Sequence, residues 1–97
     1  LGEDAYIERL ANIELLIIDD IGSELKQKNN DFFNNTVFQI LDKRVKNSKS
    51  TIFTSNLGLK AMTNKGMDTK NAERILELCK NNFVELTGKS YRLNFAN

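Results

Sequence analysis

An α/β fold built on a parallel sheet is what this sequence predicts, and three observations carry it. The first is Glu14-Leu15-Leu16-Ile17-Ile18-Asp19-Asp20-Ile21-Gly22, in which four consecutive large apolar residues run into two adjacent carboxylates. That run is too short to cross a membrane and lacks polar alternation. It therefore reads as a strand over 13–18 that is buried on both faces. The second is an apolar stripe at Phe33, Val37, Ile40, Leu41 and Val45. These fall at i, i+4, i+7, i+8 and i+12 and predict a helix from about 30 to 46. The third is the β-branched and aromatic run Thr51-Ile52-Phe53-Thr54-Ser55, a second strand. A helix between two short apolar strands is a βαβ unit, which implies a parallel pair.

The other elements come in order along the chain. Tyr6, Ile7 and Leu10 share a helical face, so a short helix is expected over 4–11, ending before the strand at Asn12. Gly22 closes the strand region, and Ser23 to Asn30 reads as a loop. Asn29 or Asn30 is expected to cap the long helix, with Asp31 favouring its positive end. Asn47 to Ser50 is a polar connection. Leu57, Leu59 and Met62 suggest one turn of helix, and Thr63 to Lys70 reads as an exposed, mobile loop. From Asn71 a stripe returns at Ala72, Ile75, Leu76 and Cys79. Phe83 to Leu86 is a third strand candidate. Ser90 to Phe95, with Tyr91, Leu93 and Phe95 alternating, is a short return strand.

Composition narrows the classes of chemistry. The 97 residues are 40% apolar and 28% charged, as in a small soluble domain with a modest core. No stretch approaches the 18 apolar residues of a membrane helix, and the acidic start Leu1-Gly2-Glu3-Asp4 has no apolar run behind it, so neither a span nor a signal peptide is expected. A single cysteine, Cys79, excludes an intrachain disulfide framework and suits the cytoplasm. With no histidine and one cysteine, neither zinc ligation nor Ser-His or Cys-His catalysis is expected. Charge is uneven: residues 1–41 hold three Lys/Arg against eight Asp/Glu, residues 42–97 eleven against five. A basic second half permits phosphate contact without demanding it. The first residue is leucine rather than methionine, which we read as the mark of a piece of a longer protein.

Chemistry concentrates where the two strands end. A parallel strand delivers the residues beyond its last rung to the carboxyl edge of the sheet, where open α/β folds bind ligands. Here those residues are Asp19 and Asp20. Two carboxylates at one place call for a compensating cation, and a hydrated Mg2+ bound to a nucleotide needs only one or two of them. The second strand ends in Asn56, an amide that can hold a water or touch a phosphate oxygen; alone, it reads equally as a turn residue. Arg44, near a helix end, suits the helix dipole, and Cys79 reads as a small core residue.

The order Leu-Leu-Ile-Ile-Asp-Asp-Ile-Gly, Thr-Ile-Phe-Thr-Ser-Asn-Leu, Glu-Arg-Ile and Val-Glu-Leu-Thr-Gly-Lys-Ser-Tyr-Arg resembles the AAA+ module of bacterial replicative-helicase loaders of the DnaC/DnaI type, a family that includes the IstB-type transposition helper ATPases. The resemblance runs from about Glu14 to Leu93. It implies a P-loop NTPase three-layer sandwich around a parallel sheet, with ATP and Mg2+ as cofactors. It implies that Asp19 contacts Mg2+, Asp20 activates the attacking water, Asn56 is sensor 1, Arg74 is an arginine finger and Arg92 is sensor 2. A planar guanidinium suits the charge that phosphoryl transfer spreads over equatorial oxygens. The implied partners are a replicative helicase, single-stranded DNA and further copies of the chain.

One part of the module is missing. No G-x-x-x-x-G-K-[ST] occurs, and Gly2, Gly22, Gly58, Gly66 and Gly88 do not form that frame. Residues 1–97 thus read as the C-terminal portion of one AAA+ domain, without the P-loop strand, weak in ATP binding by itself and prone to self-association. A transposition helper and a non-enzymatic module that docks DNA or a partner are the alternative readings.

Overall fold

The computed structural model describes residues 3–80 and 82–84. The chain runs through α1 (Glu3–Asn12), β1 (Leu15–Ile18), α2 (Asp31–Lys46), β2 (Ser50–Phe53), α3 (Leu59–Asn64) and α4 (Thr69–Cys79). β1 and β2 pair in parallel with Leu15 opposite Ser50, Leu16 opposite Thr51, Ile17 opposite Ile52 and Ile18 opposite Phe53. The expected α/β class and the strand–helix–strand unit are present.

The register divides the sheet into two unlike faces, because alternate residues point to opposite sides. Leu16, Ile18 and Phe53 join the helices in two apolar clusters. One gathers Ile7 of α1, Leu16 and Ile40 of α2. The other gathers Ile21, Leu25, Leu41, Met62, Met67, Ala72 and Ile75, with Ile18 and Phe53 packed against it. On the opposite face Leu15, Ile17 and Ile52 are 51%, 59% and 49% exposed. The expectation of a strand buried on both faces is thus corrected: among the described residues the helices cover one face, giving two layers of the implied three. β1 is also shorter than expected, since Ile13 gives its amide to Arg9 O and its carbonyl to Arg44.

Several helical faces differ in detail. In α1 the inward residues are Ile7 and Ala11, with Leu10 half-buried, while Tyr6 is exposed. In α4 the inward residues are Asn71, Ala72 and Ile75, and Leu76 faces outward. The N-cap of α2 is Asn30, but its side chain makes no capping bond. Instead its Oδ1 accepts from Lys26 N and its Nδ2 donates to Lys26 O, both at 2.8 Å, which closes the preceding loop on itself.

The segment 63–70 is exposed over most of its length, as expected, but it is not all loop: Thr63 and Asn64 end α3, Thr69 and Lys70 begin α4, and the turn between them is tied to α2. Asn34 Nδ2 donates to Gly66 O at 2.9 Å, and Asn34 Oδ1 accepts from Asp68 N at 2.8 Å. Asn71 Nδ2 reaches Asn34 O at 3.0 Å, and Met67 is buried in the larger cluster. Gly66 has φ of +116°, and a Cβ there would lie 2.2 Å from Asn30 Nδ2, so the close approach requires glycine. Phe83 and Val84 are exposed and not in a strand. Glu85, Leu86, the 90–95 strand and Arg92 lie outside the described residues.

Arg44 occupies a place its position near a helix end does not suggest. It is fully buried, three residues beyond Leu41 on the same inward face. Its guanidinium donates to Leu10 O (2.9 Å), Ile13 O (2.8 Å), Ser50 O (2.7 Å) and the Thr51 hydroxyl (2.8 Å), with Ala11 O at 3.4 Å. It ties the end of α1 to the starts of both strands, at the edge opposite the acids. Burial pushes its pKa down, and the charge of Glu14 works in the other direction. The structural role expected of Arg44 holds, with backbone carbonyls in place of the helix dipole. Cys79 is half-buried against the larger cluster, and burial raises its thiol pKa.

Candidate active site at the carboxyl edge of the sheet

Both strands stop at the same level, and their continuations bond to each other instead of diverging. Thr54 N donates to Ile18 O at 3.0 Å, and Ile21 N donates to Thr54 O at 2.8 Å. The Ser55 hydroxyl donates to Ile21 O at 2.7 Å and accepts from Leu57 N at 3.0 Å. Each bond satisfies a polar group that the end of the ladder would otherwise leave open.

The acids sit inside this stitched turn. Asp20 has φ of 55°, a left-handed conformation that aspartate tolerates better than most residues. Gly22 comes next but one at φ +100° and packs on Met62, whose sulfur would lie 3.0 Å from an added Cβ. Gly22 N donates to Glu24 Oε1 at 3.2 Å. The turn therefore reverses the chain sharply and leaves Asp19 and Asp20 exposed at the sheet edge.

Asn56 comes to the same place from the other strand, its Nδ2 lying 3.4 Å from Asp20 Oδ1. The sequence-predicted trio Asp19, Asp20 and Asn56 is thus brought together. Arg74 is not. It projects from α4 toward α2, with Nε 3.1 Å from Asp42 Oδ1 and Nη1 3.5 Å from Glu77 Oε1. Its guanidinium lies 5.6 Å from the Phe38 ring centroid, and the side chain is 27% exposed. Arg92 lies outside the described residues.

Thr54 is the residue that sequence reasoning missed. Its hydroxyl donates to Asp19 Oδ1 at 2.5 Å and accepts from Asp20 N at 2.8 Å, touching both acids at once. The signal was the pair of hydroxyl residues, Thr54-Ser55, directly before Asn56 at the end of the strand beside the acids.

The donors here are hard oxygens: two exposed carboxylates, a hydroxyl and an amide. That set fits Mg2+, which takes one or two carboxylates and completes its shell with water and phosphate oxygens. Among the described residues no group of three or more His, Cys, Asp or Glu forms a full protein cage. Nor is any helix of the described residues long and apolar enough to cross a membrane.

The model of a protein family described as IstB-like ATP binding protein matches residues 3–96. No curated protein and no solved structure matches the chain.

Proposed function

The chain belongs to the IstB-like ATP-binding protein family, and from that premise we propose that it forms the acid-and-sensor half of an ATPase that loads a replicative helicase. The observation that carries the reading is the convergence of Asp19, Asp20 and Asn56 at one sheet edge, from two parallel strands. Bound Mg2+-ATP supplies the γ-phosphoryl group and the divalent charge that neutralises it. Asp19 is the residue that would hold the ion. Asp20 would accept the proton of the attacking water, and Asn56 would orient that water through its side-chain amide. Asp has one methylene less reach than Glu, so Asp20 acts from the position that its left-handed backbone presents. Arg74 sits away from these acids, and the role proposed for it is that of a finger at the nucleotide of a neighbouring copy. Arg92 is assigned the second arginine contact. Hydrolysis at such a junction switches an assembly on single-stranded DNA and does no chemistry on the DNA itself.

The IstB-like description favours a second reading, a transposition helper with the same nucleotide chemistry and a transposase as partner. The first check is the reading frame ahead of Leu1. A G-x-x-x-x-G-K-[ST] segment is expected there, and its absence favours a docking module without catalysis. In the protein carrying that segment, Asp20→Asn is expected to lower ATP turnover by about 10²–10⁴-fold. Turnover equal to the parent's overturns the assignment of Asp20. Co-purification with the helicase supports the loader; co-purification with the transposase in its place supports the helper.

A further inference from the structure

Thr54 is in a position that the site as proposed does not use. Its hydroxyl proton goes to Asp19 Oδ1 at 2.5 Å, and its oxygen accepts the amide of Asp20 at 2.8 Å. One hydroxyl thus serves both acids, and it saturates its single donor in doing so. Its own backbone is fixed on both sides, N to Ile18 O and O to Ile21 N, so the side chain has a rigid base. The bond to Asp19 fixes one carboxylate oxygen, and Asp19 remains an exposed residue. The bond to Asp20 N holds the turn in which that residue takes φ of 55°. Threonine suits the role because its branched Cβ restricts χ1.

We propose that Thr54 is a positioning residue, which sets the Asp19 carboxylate for a hydrated divalent cation and holds the Asp20 turn through one shared hydroxyl. The inference rests on the proposed cation site, and it adds a direct link between the second strand and both acids. Partners that orient metal-binding groups commonly change metal affinity by about 10–100-fold when removed.

The test uses the chain with Mn2+ as the probe, read by paramagnetic broadening of backbone amides, together with amide hydrogen exchange in metal-free solution. Parent, Thr54→Val and Thr54→Ser are compared. Valine keeps the shape and removes the hydroxyl, while serine restores it. Broadening in the parent is expected to centre on Asp19 and Asp20, to need about tenfold more Mn2+ in Thr54→Val, and to return in Thr54→Ser. The Asp20 amide is expected to exchange faster in Thr54→Val alone, with the thermal midpoints of the two variants close to each other. Equal Mn2+ dependence in parent and Thr54→Val overturns the positioning role. If the parent shows no broadening at Asp19 or Asp20, the cation site itself is wrong. Exchange then decides the turn separately: unchanged protection of Asp20 in Thr54→Val overturns the remaining part.

Discussion

Arg44 shows how much a single side chain can hold together. Its guanidinium gathers the carbonyls of Leu10, Ile13 and Ser50, so the exit of α1 and the entries of both strands depend on one planar fork. Substituting methionine keeps much of the length and the apolar stem but leaves those carbonyls without a donor. Each buried acceptor left open costs about 1–3 kcal/mol. We expect Arg44→Met to lower unfolding free energy by about 3 kcal/mol or more, read as a fall in the denaturant midpoint at unchanged slope. Arg44→Lys should recover only part, because an ammonium cannot reproduce the fork. A midpoint within error of the parent removes the clamp from the account. Position 44 was legible in part: it falls three residues after Leu41 and four after Ile40, on the apolar stripe itself. Its partners were not, since all but Thr51 are backbone carbonyls, which carry no side-chain signature. Thr54 was hidden for a related reason. A threonine near the end of a strand looks the same in sequence whether its hydroxyl meets solvent or two carboxylates.

Between elements, ion pairs link α2 to its neighbours on either side. Lys43 meets Glu8 of α1 at 2.5 Å, and Asp42 meets Arg74 of α4 at 3.1 Å and Lys46 at 2.8 Å. The Lys46 hydrogen bond holds the Asp42 carboxyl below its ordinary 3.8; burial opposes this, and the Arg74 bond reinforces it. The Lys43 bond likewise holds Glu8 below 4.5. Both carboxyls are depressed in the folded chain, so the unfolded chain binds more protons as pH falls, and the stabilisation is lost as pH drops through the folded-state values. Above the ordinary carboxyl values the contribution is complete. We expect Asp42→Asn to be less stable than the parent at neutral pH and to converge with it once pH has fallen through the depressed folded-state value of Asp42, by thermal melts carried into the acid range. The gap should be small and should shrink with added salt, as for partly exposed pairs. A gap that persists undiminished at the acid end assigns the loss to packing instead. The apolar stripe made α2 itself readable, because a 3.6-residue period is local. The hydrogen bonds that hold the turn at 65–68 were not, because they come from Asn30 and Asn34, more than thirty residues earlier in the chain.

At the scale of the molecule, the sheet is the part that the described residues leave incomplete. A run of four large apolar residues reads as a strand covered on both sides, and the structure covers one. Leu15, Ile17 and Ile52 therefore form an apolar patch on a two-stranded sheet whose described residues pair along a single ladder. Bare sheet faces and open strand edges promote association, because both the apolar area and the unpaired backbone groups gain a partner. The most available partner at high concentration is a second copy, which presents the same patch and can meet it about a two-fold axis. We expect the weight-average mass in sedimentation equilibrium to rise with loading concentration. Ile17→Lys should return it toward the monomer mass of 11.1 kDa, since a desolvated lysine opposite its own copy carries both a burial cost and a like-charge repulsion. Lysine at Tyr6, exposed on α1 away from the bare face, is the control and should leave the association unchanged. A parent that stays at the monomer mass throughout would place this face as one that the chain tolerates open. In that case the apolar run over 15–18 answers to the carboxyl edge it supports, where β1 needs only one covered face to hold Asp19 and Asp20 against Thr54.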